Sequence, residues 1–81
     1  MTNIKWKAKK QRHGTAHFAT FWYQGKEIHI MLDPYSRNVI FVARLHDGEW
    51  KRTCVYNGSL KQAKEHIEYL RDHNEMEVES L

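Results

Sequence analysis

Residues 59–73, SLKQAKEHIEYLRDH, decide how the fold is read. Ser59 and Gln62 have the spacing of a capping box. The serine hydroxyl can accept the Gln62 backbone N–H, and the Gln62 side chain can reach back to the Ser59 N–H. Leu60, Ala63, Ile67 and Leu70 then fall at i, i+3, i+7 and i+10, one apolar stripe at helical period. Lys61, Lys64, Glu65, Glu68, Arg71 and Asp72 occupy the other face. The stretch predicts an amphipathic helix with one side to bury, and the segments before it read as the strands it would cover.

Immediately upstream, Asn57-Gly58 breaks the chain ahead of the cap. Val39–Leu45 and Trp50–Tyr56 form a hairpin about Asp47-Gly48, the strongest turn signal present. That register groups Val39, Phe41, Ala43 and Leu45 with Trp50, Cys54 and Tyr56 toward the helix. It groups Ile40, Val42 and Arg44 with Lys51, Thr53 and Val55 on the other side. Arg52 falls in the first set, either at its rim or through a one-residue slip. Further upstream, His17–Tyr23 and Lys26–Leu32 pair about Gln24-Gly25, where glycine supplies the positive φ of a type I′ turn. Ala19, Phe21, Ile28, Ile30 and Leu32 then share one face; Phe18, Thr20, Trp22, Glu27, His29 and Met31 share the other. Asp33–Asn38, with the sole proline, reads as a loop. Within Met1–Gly14, Ile4, Trp6 and Ala8 alternate with lysines, as in an edge strand or a basic arm. The chain past Asn74 is short, acidic and expected to fray.

The expected fold is therefore α+β: a four-stranded antiparallel meander of two hairpins, with one C-terminal helix packed on one face. Residues 1–14 form a basic N-terminal arm or edge strand, 15–74 the ββββα domain, and 75–81 an acidic tail. At 81 residues there is room for one domain with a thin core. A single cysteine, Cys54, excludes an internal disulfide and suits a reducing cytoplasm. No apolar run approaches the roughly 20 residues of a membrane span, and no apolar segment follows the basic start as in a signal peptide. A cytoplasmic protein without membrane contact is expected. The net charge of +3 is unevenly spread: the first twelve residues hold five cations and no acid, residues 13–73 are near neutral, and Glu75, Glu77 and Glu79 make the tail acidic.

Few residues invite chemistry. His13 and His17 are four apart but flank Gly14; His66 and His73 are seven apart on the helix, too far for a shared first shell without a third ligand between them. No metal site or cofactor is expected. Cys54 falls among the residues assigned to the helix side, where cysteine is usually inert packing. Ser59 is used as a cap, and His46, Asp47 and Glu49 mark a solvated turn. No nucleophile has a base beside it, so a non-catalytic protein is expected. The unusual feature is the face assigned away from the helix. Phe18, Trp22, Met31, Ile40, Val42 and Val55 lie there with Thr20, His29, Arg44, Lys51 and Thr53, on a surface that should be mostly polar if solvated. The Ile4/Trp6 arm, a second copy or a partner is expected to cover it.

In topology, Ala16–His73 resembles the AP2-type and integrase arm-binding DNA-binding domains, a short antiparallel sheet followed by a helix. The resemblance implies that the face opposite the helix enters the major groove, with Trp22, Arg44, Lys51 and Thr53 placed to read DNA. The chain is also similar in style to small phage and mobile-element accessory proteins, which implies DNA binding or inhibition of a host or defence protein. Two functions follow as expectations. In the first, Lys5, Lys7, Lys9, Lys10 and Arg12 neutralise phosphates while Trp22, Arg44 and Lys51 contact bases or groove walls. In the second, the same face binds a host protein with Trp22 and Arg44 as anchors, or a sheet edge adds a strand to it. A homodimer through that face is a third possibility.

Overall fold

The computed structural model describes residues 3–12 and 14–76. Five strands and one helix follow in order: β1 (Lys7–Gln11), β2 (Gly14–Tyr23), β3 (Lys26–Ser36), β4 (Val39–His46), β5 (Glu49–Asn57) and α1 (Leu60–Asp72). Each strand pairs antiparallel with the next, giving one sheet in the order β1-β2-β3-β4-β5. The α+β class and the meander stand, but the sheet has five strands rather than four. The extra one is β1, where Ala8 pairs with His17 and Lys9 with Ala16. The basic segment is thus an edge strand. Rows of lysine on an edge discourage pairing with another sheet.

The helix forms as its sequence dictates. Ser59 Oγ accepts the Gln62 N–H at 3.1 Å and Gln62 Oε1 accepts the Ser59 N–H at 3.0 Å. Ala63 and Ile67 are buried against the sheet. The β2–β3 hairpin also keeps its expected register, with Phe21 opposite Ile28 and Ala19 opposite Ile30. Both hairpin turns are type I′: φ is 51° and 76° at Gln24 and Gly25, and 51° and 79° at Asp47 and Gly48.

Two irregularities change the rest. First, of the expected Asp33–Asn38 loop only Arg37-Asn38 is a turn. Strand β3 continues through Pro34 to Ser36, and the register shifts between Pro34 and Ser36. Proline cannot donate to a ladder, so on this interior strand it sits at the bulge. The continued pairing sets Leu32 opposite Val42 and Ile30 opposite Arg44. Strand β4 therefore turns Ile40, Val42 and Arg44 toward the helix, and Val39, Phe41, Ala43 and Leu45 away from it, the reverse of the expected faces. Second, a bulge interrupts β4–β5: Ala43 pairs with Arg52, but Val42 pairs with Cys54. Thr53 is the extra residue, and its hydroxyl donates to the Val42 carbonyl at 2.9 Å. The bulge lets Trp50 and Arg52 face away from the helix while Cys54 and Tyr56 face toward it. Arg52 is thereby kept out of the core.

The core lies between the sheet and α1, around Phe21, Ile30, Leu32, Val42 and Ile67. The N-terminal segment completes it. Ile4 is buried, its N–H donates to Glu68 Oε2 at 3.3 Å, and the Lys64 ammonium stands 5.8 Å over the Trp6 ring. Trp6 Nε1 is buried without a hydrogen-bond partner, a cost set against the burial of the indole. The arm thus covers the helix side, not the opposite face. Beyond α1, the Tyr23 hydroxyl donates to the Met76 carbonyl and accepts the Met76 N–H at 3.2 and 3.0 Å. The start of the expected tail is therefore tied to the core. Met1, Thr2, His13 and 77–81 lie outside the described residues, and with them the His13 pairing and the Glu77 and Glu79 charges.

Candidate nucleic-acid interface

The side of the sheet away from α1 is uncovered among the described residues. Strand register decides its membership, because directly paired residues point to the same side. Lys7 and Lys9 of β1 pair with Phe18 and Ala16 of β2, and Thr20 and Trp22 follow on the same face. Strand β3 adds Glu27, His29, Met31 and Asp33; β4 adds Val39, Phe41, Ala43 and Leu45; β5 adds Trp50, Arg52 and Val55. A solvated antiparallel face should alternate to polar residues. This one carries aromatic and aliphatic side chains on every strand but β1.

The rings are ordered into groups. Phe18 and Trp50 meet edge to face, with centroids 5.6 Å apart at 62°. They belong to strands three apart in the sheet, so the indole reaches across β4 and β3, above the row where Ala43 is buried. At the end of the sheet near Ser36, Tyr35 packs on Phe41 at 5.2 Å, and the Arg52 guanidinium lies 4.8 Å over the same Phe41 ring. At the opposite end, beside the Gln24-Gly25 turn, Trp22 is 69% exposed, and Tyr35 at its own end is 75% exposed. An exposed ring of this size gains from any flat apolar ligand that covers it.

Between these rings runs a polar chain. Thr20 Oγ1 and His29 Nδ1 are 3.2 Å apart, and His29 Nε2 is 3.0 Å from Glu27 Oε1. Hydroxyl, imidazole and carboxylate stand in the order of a nucleophile relay. However, they lie flat on a sheet whose neighbouring N–H groups are engaged in the strand ladders. The chain holds the imidazole in place over the face.

The expected site residues divide. Lys7, Lys9 and Trp22 stand together on the open face. Lys5 is exposed just ahead of β1, and Arg12 is exposed in the turn that follows it. Lys10 pairs with Thr15 and points to the other side of the same edge strand. Arg44 requires correction. It is 5% exposed, lies under α1, and cannot reach a ligand on the open face. Burial lowers its pKa from the usual arginine value, which leaves it a cation. Lys51 pairs with Arg44, so it too points to the helix side, although at the exposed edge. Arg44 instead borders a cavity of about 250 Å³ between the sheet and the C-terminal half of α1, with Ile30, Val42, Ile67, Leu70 and Met76 as its apolar walls. Thr53, once assigned to the open face, lines the same cavity.

Sequence reasoning missed Tyr35, Phe41, Trp50 and Arg52 as members of the open face. Strand β4 is apolar at nearly every position, so alternation could not choose its sides. Pro34 was the available signal, since a proline between two strands marks a bulge as readily as a loop. Among the described residues no group of three or more His, Cys, Asp or Glu could hold a metal ion, and no helix is long and apolar enough to cross a membrane. On the helix side, burial and then the Lys64 ammonium lower the pKa of His17 below the ordinary histidine value. No protein-family model, no curated protein and no solved structure matches the chain.

Proposed function

We propose that this protein is a non-catalytic binding module that takes nucleic acid on the open face of its sheet. One observation carries the reading: an edge strand with lysines lies beside an uncovered face of aromatic rings. Lys5, Lys7, Lys9 and Arg12 form a cationic border, with Lys10 on the other side of the same edge strand and no acid among the first twelve residues. Arg52 supplies positive charge at the opposite edge, over Phe41. Cations at the border attract the phosphate chain, while rings and polar groups between them meet the bases. Arg44 and Lys51 have no part in this reading.

The test is a salt series. Binding to a mixed-sequence nucleic acid should weaken linearly in log–log form as salt rises, with a slope of roughly −0.7 to −0.9 per phosphate neutralised. Replacing Lys5, Lys7, Lys9, Lys10 and Arg12 by glutamine should weaken every sequence about equally and flatten the slope. A second reading, a modulator that grips a host protein, is favoured by Val39, Leu45 and Val55 on the same face. It gives the opposite signature: arm neutralisation matters little, and Trp22→Ala abolishes a salt-tolerant complex. The absence of any nucleic-acid binding at low salt would overturn the first reading.

A further inference from the structure

We infer that the strand taken by this face is single-stranded, with unpaired bases laid on Trp22, on the Phe18–Trp50 pair and on Tyr35. The inference rests on the nucleic-acid reading and narrows it to one class of ligand.

Width argues first. Five strands at about 4.8 Å spacing place β1 and β5 about 19 Å apart. The major groove of duplex DNA is about 12 Å wide and admits a helix or a two-stranded ribbon. Lys7 and Lys9 lie on one edge strand and Arg52 on the other. The whole face is too wide for the groove, so a ligand that uses both edges at once must bring its bases to the sheet.

Chemistry argues the same way. A duplex shows a protein the edges of its bases and hides their faces. Aromatic rings lying open on a sheet are rewarded only by bases that have left their stack. The most exposed rings, Trp22 and Tyr35, mark the two ends of the face. Glu27, the partner of Trp22, lies eight residues before Tyr35 on β3, about 26 Å at the rise of a strand. That length accommodates several nucleotides. Charge then sets the path. Glu27 and Asp33 on β3 repel phosphates from the middle of the sheet, whereas Lys7 and Lys9 attract them toward the β1 edge. The sugar–phosphate chain is drawn to Lys7 and Lys9 at one edge and to Arg52 at the other, and its bases meet the rings between them. Thr20, His29 and Glu27 offer donors and acceptors to base edges there.

The experiment titrates the full chain with 20-nucleotide oligo(dT), 20-nucleotide oligo(rU) and a 20-base-pair DNA duplex, followed by tryptophan emission and by anisotropy of a labelled strand. At equal salt, one or both single strands should bind at least tenfold tighter than the duplex and quench tryptophan emission. The two single-stranded arms separate DNA from RNA. Trp22→Ala and Tyr35→Ala should each weaken single-strand binding roughly five- to hundredfold and leave duplex binding unchanged. Trp22 is exposed, so its variant should fold, which far-UV circular dichroism checks. Duplex binding equal to or tighter than single-strand binding would overturn the inference while leaving the nucleic-acid reading in place. Unchanged single-strand affinity in Trp22→Ala would also overturn it. Binding to none of the three ligands at low salt would overturn both.

Discussion

Replacing Ile67 by alanine tests whether α1 is held by its apolar stripe. The side chain is 4% exposed and central to α1. Three carbons leave the core, a transfer loss of about 2.4 kcal/mol at about 0.8 kcal/mol each. A cavity term adds to this, because Ile67 already borders the space between sheet and helix and its neighbours cannot close the gap fully. The expected cost is about 3–4 kcal/mol, within the usual range for such truncations. A domain of this length has roughly 4–12 kcal/mol of stability in total. The melting midpoint should therefore fall by roughly 12–30 °C, and at the low end of stability a large share of the variant is unfolded at room temperature. Urea denaturation followed by circular dichroism measures the change, with Glu65→Ala on the exposed helix face as a control expected within about 0.5 kcal/mol. A loss below about 1 kcal/mol for Ile67→Ala would refute the seating of the helix described here.

Three further outcomes are expected. Gly58→Ala should cost roughly 1–2 kcal/mol: a Cβ there would lie 2.8 Å from Gln62 Oε1, which closes the cap, and 2.8 Å from the Tyr56 ring. A wild-type melting midpoint would show that the cap yields without cost. Val42→Asp should unfold the domain, because it places a carboxylate among core residues, whereas Phe41→Asp, on the open face, should fold and lose ligand binding; the reverse pattern of circular dichroism spectra would restore the opposite facing of β4. Stability should decline as pH is lowered from 7.5 and the decline should flatten in His17→Gln. The unfolded chain takes up the His17 proton near 6.5 while burial and Lys64 make the folded chain resist it, so the unfolded state binds more protons as pH falls through that value, and the loss ends below the lowered folded pKa. Thermal melts between pH 7.5 and 5.5 measure this, and identical slopes for both proteins would exclude His17 as the cause.

Local chemistry by itself determined the helix, its capping box, both type I′ turns and the β2–β3 register, because each depends on residues close together in the chain. Ser59 finds Gln62 one turn away, and a glycine at the second turn position suffices to set the pairing of Phe21 with Ile28. The basic character of residues 5–12 was equally legible, since charge counts do not depend on conformation. Only the tertiary structure decided that these residues form a fifth strand, that Ile4 and Trp6 dock beside α1, and which way β4 faces. Its side chains are apolar in both directions, so no local pattern separates Phe41 from Val42. Pairing with β3 through the Pro34 bulge, which sets Val42 opposite Leu32, made the choice. The bulge at Thr53 then sent Arg52 to one face and Cys54 to the other. Strand alternation has a period of two, so one inserted residue reverses every side chain beyond it, and a sequence read one strand at a time cannot see where the insertion falls.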